Sequence, residues 1–290
     1  MVPSAEVGRS GSAMIRTALL AGVVCLAGLA GAAAAQTTVE LVSRTGLRVC
    51  ADPNDLPFSN DKREGFENKI AEIIGQELNL PVSYVWFPQV VGFVRNTLRA
   101  RQCDLVMGTV SGDSLMDNTN AYYHSGYMIV SRVEDGISAT GLGDPALADK
   151  RIGLVAATPP TDLLLRHGLM PHVTSYALAV DTRYESPARA MIQDILDKKI
   201  DVGLLWGPIA GYYIKHDSLP LKAAFLDSEP DSTRLDFRIA MGVRGGEPEW
   251  RRRINGALEK HRAEVAQILD SYGIPQLDEQ GRPVSGPQKP

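Results

Sequence analysis

The densest set of chemically capable side chains in this 290-residue chain lies in the segment ADPNDLPFSN, which holds Asp52, Asn54, Asp55 and Ser59 among Pro53, Pro57 and Phe58. Two carboxyls three residues apart suit general acid–base work where their surroundings separate their proton affinities. They suit equally well the role of acceptors for a polar ligand. The prolines restrict the backbone, so these polar groups sit on a stiff turn. Elsewhere the chemistry thins out. His124, His167, His172, His216 and His261 show no HExxH spacing, no glycine-rich phosphate loop is present, and no serine stands in a GxSxG context. The acidic loops ADPND and GDSLMDN each fall short of the six or more oxygens a hard cation requires, so no metal site is expected.

The surrounding pattern supplies the scaffold. GLRVCA reads as a strand, and FENKIAEIIGQEL as a helix with Phe66, Ile70, Ile73, Ile74 and Leu78 on one face. PVSYVWF is a second strand, GFVRNTLRARQ a short helix and CDLVMGTV a third, buried strand. Right-handed βαβ crossovers give a parallel sheet, with the acidic turn at the carboxyl end of its first strand, where open α/β sheets bind ligands. After YYHSGYMIVSRV the pattern restarts, with RIGLVAA, VTSYAL and IDVGLLW as strands and PTDLLLRHGL and PARAMIQDILDKK as helices. DFRIAMGVR then returns to the first lobe, and PEWRRRINGALEKHRAEVAQILDSYGI caps it as helix. The expected α/β architecture is bilobal: residues 36–124 with 239–275 form lobe 1, 125–238 form lobe 2, and two strands make the hinge. The tail 276–290 is rich in proline, glycine and glutamine and is expected to be flexible.

Residues 1–35 carry Arg16, an apolar run from Ala18 to Leu29 and small residues up to Ala35, the pattern of a secretory signal peptide. The run is short for a bilayer span, and no stretch of about 20 apolar residues comes after it. Cys25 follows Val24 rather than a small residue, so no lipid anchor is expected. The expected location is the periplasm, without a membrane anchor. A net charge of −4 gives no footing for nucleic acid.

Cys50 and Cys103 remain after removal of that segment, and an even pair in an oxidising compartment suggests a disulfide. The expected register opposes Cys50 to Val106 instead, which would leave Cys103 beyond the Cα limit of about 7 Å. Both outcomes stay open for this candidate disulfide.

The ordered segments GLRVCAD, GFENKIAEII, LRARQCDLVMGTV, YYHSGYMIV, LADKRIGLV and DKKIDVGLL resemble type II periplasmic solute-binding proteins of the amino-acid class. RVCADPNDLPFSN, GFENKIAE, GFVRNTLRARQCDLVMG and LLWGPIAGYY resemble a narrower group, the J-type proteins encoded beside periplasmic quinoprotein methanol dehydrogenases, in the lanthanide-dependent branch. The resemblance implies a bilobal type II periplasmic binding-protein fold without enzymatic activity or a cofactor of its own. It implies as partner a pyrroloquinoline-quinone methanol dehydrogenase, whose apo form the chain would bind and whose activation or cofactor loading it would assist. The wider superfamily implies an alternative, a transporter receptor for a small aromatic or apolar molecule held in the cleft.

Two departures from that superfamily bear on the ligand. Where amino-acid binders place an arginine for the ligand carboxylate, the aligned position is Met116, and where they place an aspartate for the ammonium it is Trp206. A free amino acid would then leave desolvated charges unpaired. Some relatives are periplasmic dehydratases, in which Asp52 or Asp55 would serve as a general acid, but the cation such substrates need is missing at Met116. The expected cleft lining is Asp52, Asp55, Phe58 and Ser59, then Trp86 and Phe93, Thr109 and Ser111, Thr158 and Pro159, and Trp206. Trp86 and Trp206 suit packing between lobes equally well, and Thr109 and Ser111 suit capping. Arg251, Arg252, Arg253, Lys260 and Arg262 form a basic cluster that reads first as a solvated face and second as an electrostatic docking patch.

Overall fold

The computed structural model describes residues 40–284, and the expected signal peptide lies outside them. The strands are β1 (Leu47–Ala51), β2 (Asn54–Asp55), β3 (Ser59–Asn60), β4 (Val82–Trp86), β5 (Leu105–Val110), β6 (Asp117–Asn118), β7 (Tyr123–Arg132), β8 (Ile152–Val155), β9 (Val173–Tyr176), β10 (Val202–Trp206), β11 (Leu221–Phe225) and β12 (Asp236–Val243). The helices are α1 (Phe66–Glu77), α2 (Phe93–Asn96), α3 (Pro160–Arg166), α4 (Pro187–Leu196), α5 (Gly207–Lys215), α6 (Pro248–Lys260) and α7 (Arg262–Ser271). The main sheet runs β4-β1-β5-β12-β7-β10-β8-β9, with β11 beside β7 and β6 beside β12. The groups β4-β1-β5 and β10-β8-β9 are parallel, as the βαβ pattern predicts.

Strands β7 and β12 join these groups. Tyr123–Gly126 of β7 pair with β12, while Tyr127–Ser131 pair with β10. In β12, Asp236–Ile239 face β7 and the later residues pair with β5 and β6. The two crossings therefore lie inside continuous strands, where Arg238 stands opposite His124.

Each half has its own apolar core. Phe66, Ile70 and Ile74 of α1 share one core with Leu47, Leu105 and Met241 of the sheet and with Trp250, Ile254, Val265 and Leu269 of α6 and α7. Leu163 and Leu164 of α3 cover β8 and β10 on one face, and Met191, Ile192 and Ile195 of α4 contribute to a second cluster with Leu205. Full burial of one such side chain stabilises by roughly 1.5–3 kcal/mol. The expected helical cap consists of two helices, broken at His261, whose ring contacts Glu77 of α1 at 2.9 Å and Glu264 at 3.0 Å. Helix α5 and strand β11 follow LLW as additions to the expected pattern, and α2 spans only four residues.

Cys50 and Cys103 are bonded, with Cα atoms 5.4 Å apart. Cys50 does oppose Val106 in register. The distance objection fails because Cys103 is not in the strand: β5 starts at Leu105, after a turn in which Arg101 has a φ of 59°. That turn brings Cys103 into one buried cluster with Cys50, Phe93, Leu98 and Met116. At the same end of the sheet Asp104 is fully buried between two guanidiniums. It accepts from Arg48 Nε at 2.6 Å and from Arg244 Nη2 at 2.6 Å. Arg244 in turn contacts Glu247 at 2.9 Å.

Residues 276–284, expected to be flexible, form a small turn closed by a Leu277–Pro283 bridge and by Asp278 with Arg282. Leu277 N donates to His124 O at 2.9 Å, and Arg238 Nη2 donates to Glu279 O at 3.1 Å. One backbone carbonyl and two side chains of the crossing strands, His124 O with the His124 ring and the Arg238 guanidinium, pair with polar backbone atoms of residues 277–279. Residues 285–290 lie outside the described residues.

Candidate functional site

A cleft of about 640 Å³ opens at the carboxyl ends of the strands. Loop 52–58 after β1 gives Asn54, Asp55 and Phe58, and β5 gives Gly108 and Thr109. The crossing strands give Tyr123, Tyr127, Phe237 and Ile239. From the other half come Thr158 and Pro159, Leu178, Thr182, Glu185 and Trp206. No lysine or arginine is among the described residues that line it.

Of the expected residues, Asp55, Phe58, Thr109, Thr158, Pro159 and Trp206 line the cleft. Asp52, Ser59, Trp86, Phe93 and Ser111 do not. The Asp52 carboxylate turns inward and accepts from Asn54 N at 2.8 Å and Gln89 N at 2.6 Å. Ser59 Oγ donates to Asp52 O at 2.8 Å, so both residues hold the loop together. Trp86 stacks on Tyr84 with ring centres 4.6 Å apart. Phe93 packs beside the disulfide, while Ser111 is exposed in a turn whose backbone joins β12. Met116 also lies away from the cleft, buried against Gly242, where a Cβ would collide with the methionine sulfur.

A latch spans one edge of the cleft. Thr182 Oγ1 lies 2.7 and 2.8 Å from the two Asp52 carboxylate oxygens, and Asn54 Nδ2 donates to Thr182 O at 2.7 Å. These contacts join the turn after β1 to the loop before α4. With Asn54 N, Gln89 N and Thr182 Oγ1 as its three donors, the Asp52 carboxylate is engaged as a structural acceptor.

The residue that sequence reasoning missed is Glu67. It occupies the first turn of α1 and points across to β5, where Gly108 leaves room: a Cβ there would collide with Glu67 Oε1. Glu67 is 8% exposed and faces the cleft, and its carboxyl has no hydrogen-bond partner among the described residues. Burial pushes its pKa up to about 8, with the nearby Asp55 charge adding to the effect. Asp55 is pushed up to about 7, first by burial and then by the Asp52 charge. A signal for Glu67 was present, because it lies in phase with Ile70, Ala71 and Ile74 on the buried stripe of α1. Aromatic rings complete the wall: Trp206 lies 5.5 Å from Tyr127 and 6.1 Å from Phe237 between ring centres.

The basic cluster on the cap is largely neutralised. Arg252 pairs with Glu249, Lys260 with Glu77 and Arg262 with Glu259, while Arg253 lies over the Trp250 ring. Exposed pairs of this kind contribute little to stability.

Comparison with known proteins agrees with this geometry. The model of the bacterial extracellular solute-binding proteins, family 3, matches residues 47–274. Protein MoxJ of Paracoccus denitrificans is 28% identical over 269 residues, covering 88% of this chain and 96% of its own length. The crystal structure of the periplasmic binding protein XoxJ from Methylobacterium extorquens AM1 is 40% identical, with a TM-score of 0.69, covering 80% of this chain and 100% of that one. MxaJ from Methlophaga aminisulfidivorans MPT is 27% identical, with a TM-score of 0.72 and the same coverages. Family match, bilobal α/β fold and likeness across most of the chain converge: this chain belongs to the bacterial extracellular solute-binding proteins, family 3, within the J-type group that MoxJ and XoxJ represent.

Proposed function

We propose that the chain is a non-enzymatic periplasmic accessory protein of a pyrroloquinoline-quinone methanol dehydrogenase, and that it binds the apo-dehydrogenase and assists its activation. The lobes are 36–124 with 239–275 and 125–238, and the cleft holds a segment of the partner. The observation that carries this reading is a cleft with no lysine or arginine among the described residues that line it, set in an amino-acid-receptor fold. A free amino acid would bury its carboxylate unpaired there. The same lack disfavours carriage of a polycarboxylate quinone, so activation through contact is the better-supported half of the role. The identity to XoxJ, 40%, exceeds the 27% to MxaJ, in keeping with the lanthanide-dependent branch that the sequence resemblance implies.

The test is native mass spectrometry of the exported protein mixed with its cognate dehydrogenase in apo and loaded forms. A complex that favours the apo form supports the role, and no complex with either form removes it. The volume and aromatic wall of the cleft favour one alternative, a transporter receptor for a small molecule with a flat apolar body. In that case a small molecule is retained through purification and raises thermal stability by mass action.

A further inference from the structure

We propose that the cleft recognises an organic cation, an ammonium or guanidinium group carried on an apolar or aromatic body. The inference rests on the cleft being the binding site, and it names the chemistry of the occupant. Glu67 is more than nine-tenths buried, faces the cleft and lacks a partner among the described residues. Gly108 makes room for its carboxyl, so the side chain is built into the wall rather than left over on a surface. Asp55 lines the same space, and Glu185 adds a third carboxyl.

No lysine or arginine is among the described residues on these walls, and nearby cations have other partners: Arg183 pairs with Asp181 and also acts on the charge of Asp52, and Arg63 lies over the Tyr84 ring. The titratable groups around Glu67 are Asp55, Tyr84, Tyr122 and Tyr123, with Asp52 beyond Asp55. Burial favours the protonated form of both carboxyls, and a cation in the cleft would take the place of a proton. An anionic ligand finds no partner here, and a neutral apolar one leaves the carboxyls unused. A bare metal ion fits poorly, because no group of three or more His, Cys, Asp or Glu able to hold one occurs among the described residues. The rings of Tyr127 and Trp206 suit a cation with an apolar body, since aromatic rings attract cations once water is excluded, whereas Phe237 already has the Arg234 guanidinium 5.8 Å from its ring centre.

Such a cation has two sources, a free amine or a lysine or arginine side chain on a partner's loop, and one experiment separates them. Tyramine, agmatine, neutral 4-ethylphenol and anionic 4-hydroxyphenylacetate are titrated by calorimetry into the exported protein at pH 6 and pH 8. The expected result is binding of the amine or guanidine probe alone, with proton release and about tenfold or more tighter binding at pH 8, because the carboxyls must first ionise. Glu67→Gln removes that pH dependence and weakens the cation at least about tenfold. Gly108→Ala, which displaces the carboxyl without removing it, is a second variant that weakens the cation. Circular dichroism verifies that both variants fold.

The complex with the apo-dehydrogenase is measured in parallel. If Glu67→Gln weakens it and tyramine competes with it, the cation is a side chain of the partner. If the variant loses tyramine and the complex is unaffected, the cation is a free molecule. Wild-type binding of tyramine without any complex retires the accessory role and leaves the cation chemistry standing. Equal binding of 4-ethylphenol, or no response of either probes or complex to Glu67→Gln, overturns the proposal.

Discussion

Asp104 and Glu67 are both nearly inaccessible carboxyls on the same half of the molecule, and their surroundings differ. Asp104 sits between Arg48 and Arg244 at 2.6 Å from each, whereas Glu67 faces an aromatic cleft with no lysine or arginine among the described residues that line it. The hydrogen bonds and charges of the two guanidiniums outweigh burial and lower the pKa of Asp104, while burial raises that of Glu67. A carboxyl held charged by its own chain belongs to the structure. One kept neutral for want of a partner is available to a ligand.

The same substitution at the two positions breaks or sharpens this contrast. Asp104→Asn strands Arg48 and Arg244 and is expected to cost about 3–5 kcal/mol, read as a lower urea midpoint. Glu67→Gln is expected to leave the midpoint unchanged or raise it at pH 8. Equal losses at both positions would erase the distinction.

The disulfide gives the next effect. Cys103→Ser opens a loop of 53 residues and is expected to cost about 2–4 kcal/mol. Since the bond lies beside Phe93 and Met116 and not in the cleft, amine binding by the folded variant should stay at wild-type affinity.

The pH dependence of stability comes third. Unfolded, Asp55 and Glu67 titrate near pH 4. Folded, they hold their protons to about 7 and about 8. Between those limits the native state binds more protons than the unfolded chain. Their contribution to stability is therefore full below about pH 4 and is lost as pH rises through 7 and 8, at up to about 1.4 kcal/mol per pH unit for each group. Melting monitored from pH 5 to 9 checks this, and Glu67→Gln should flatten the decline. A curve that rises toward pH 8 in wild type and variant alike would contradict the protonated pair.

The smallest effect concerns the latch. Thr182→Val removes a hydroxyl between the two Asp52 oxygens and is expected to cost about 1 kcal/mol. X-ray scattering of the variant should show a larger radius of gyration if the latch holds the halves together.

Much of this architecture was legible because alternation and helical spacing are strong in β1, α1, β5, β8, α4 and β10. The segment after Trp206 was harder to read, since GPIAGYYIK begins with glycine and proline and its helix is defined by packing against β7 and β11. The residues of the turn after β1 divide: Asp55 lines the cleft, whereas Asp52 accepts from the amides of Asn54 and Gln89. That division depends on Gln89 and Thr182, distant in sequence. Tyr127 and Phe237 were not readable as site residues, because which side of a crossing strand meets the cleft is decided by both halves at once. Glu67 was readable in principle, as an acid in phase with an apolar stripe.

The docked segment 276–284 has a practical consequence. His124 and Arg238 stand opposite each other where β7 and β12 cross, and both are tied to residues 277–279. A fluorophore attached to Val284 would ride on the crossing strands themselves, so its signal would report changes in the hinge while leaving the cleft unmarked.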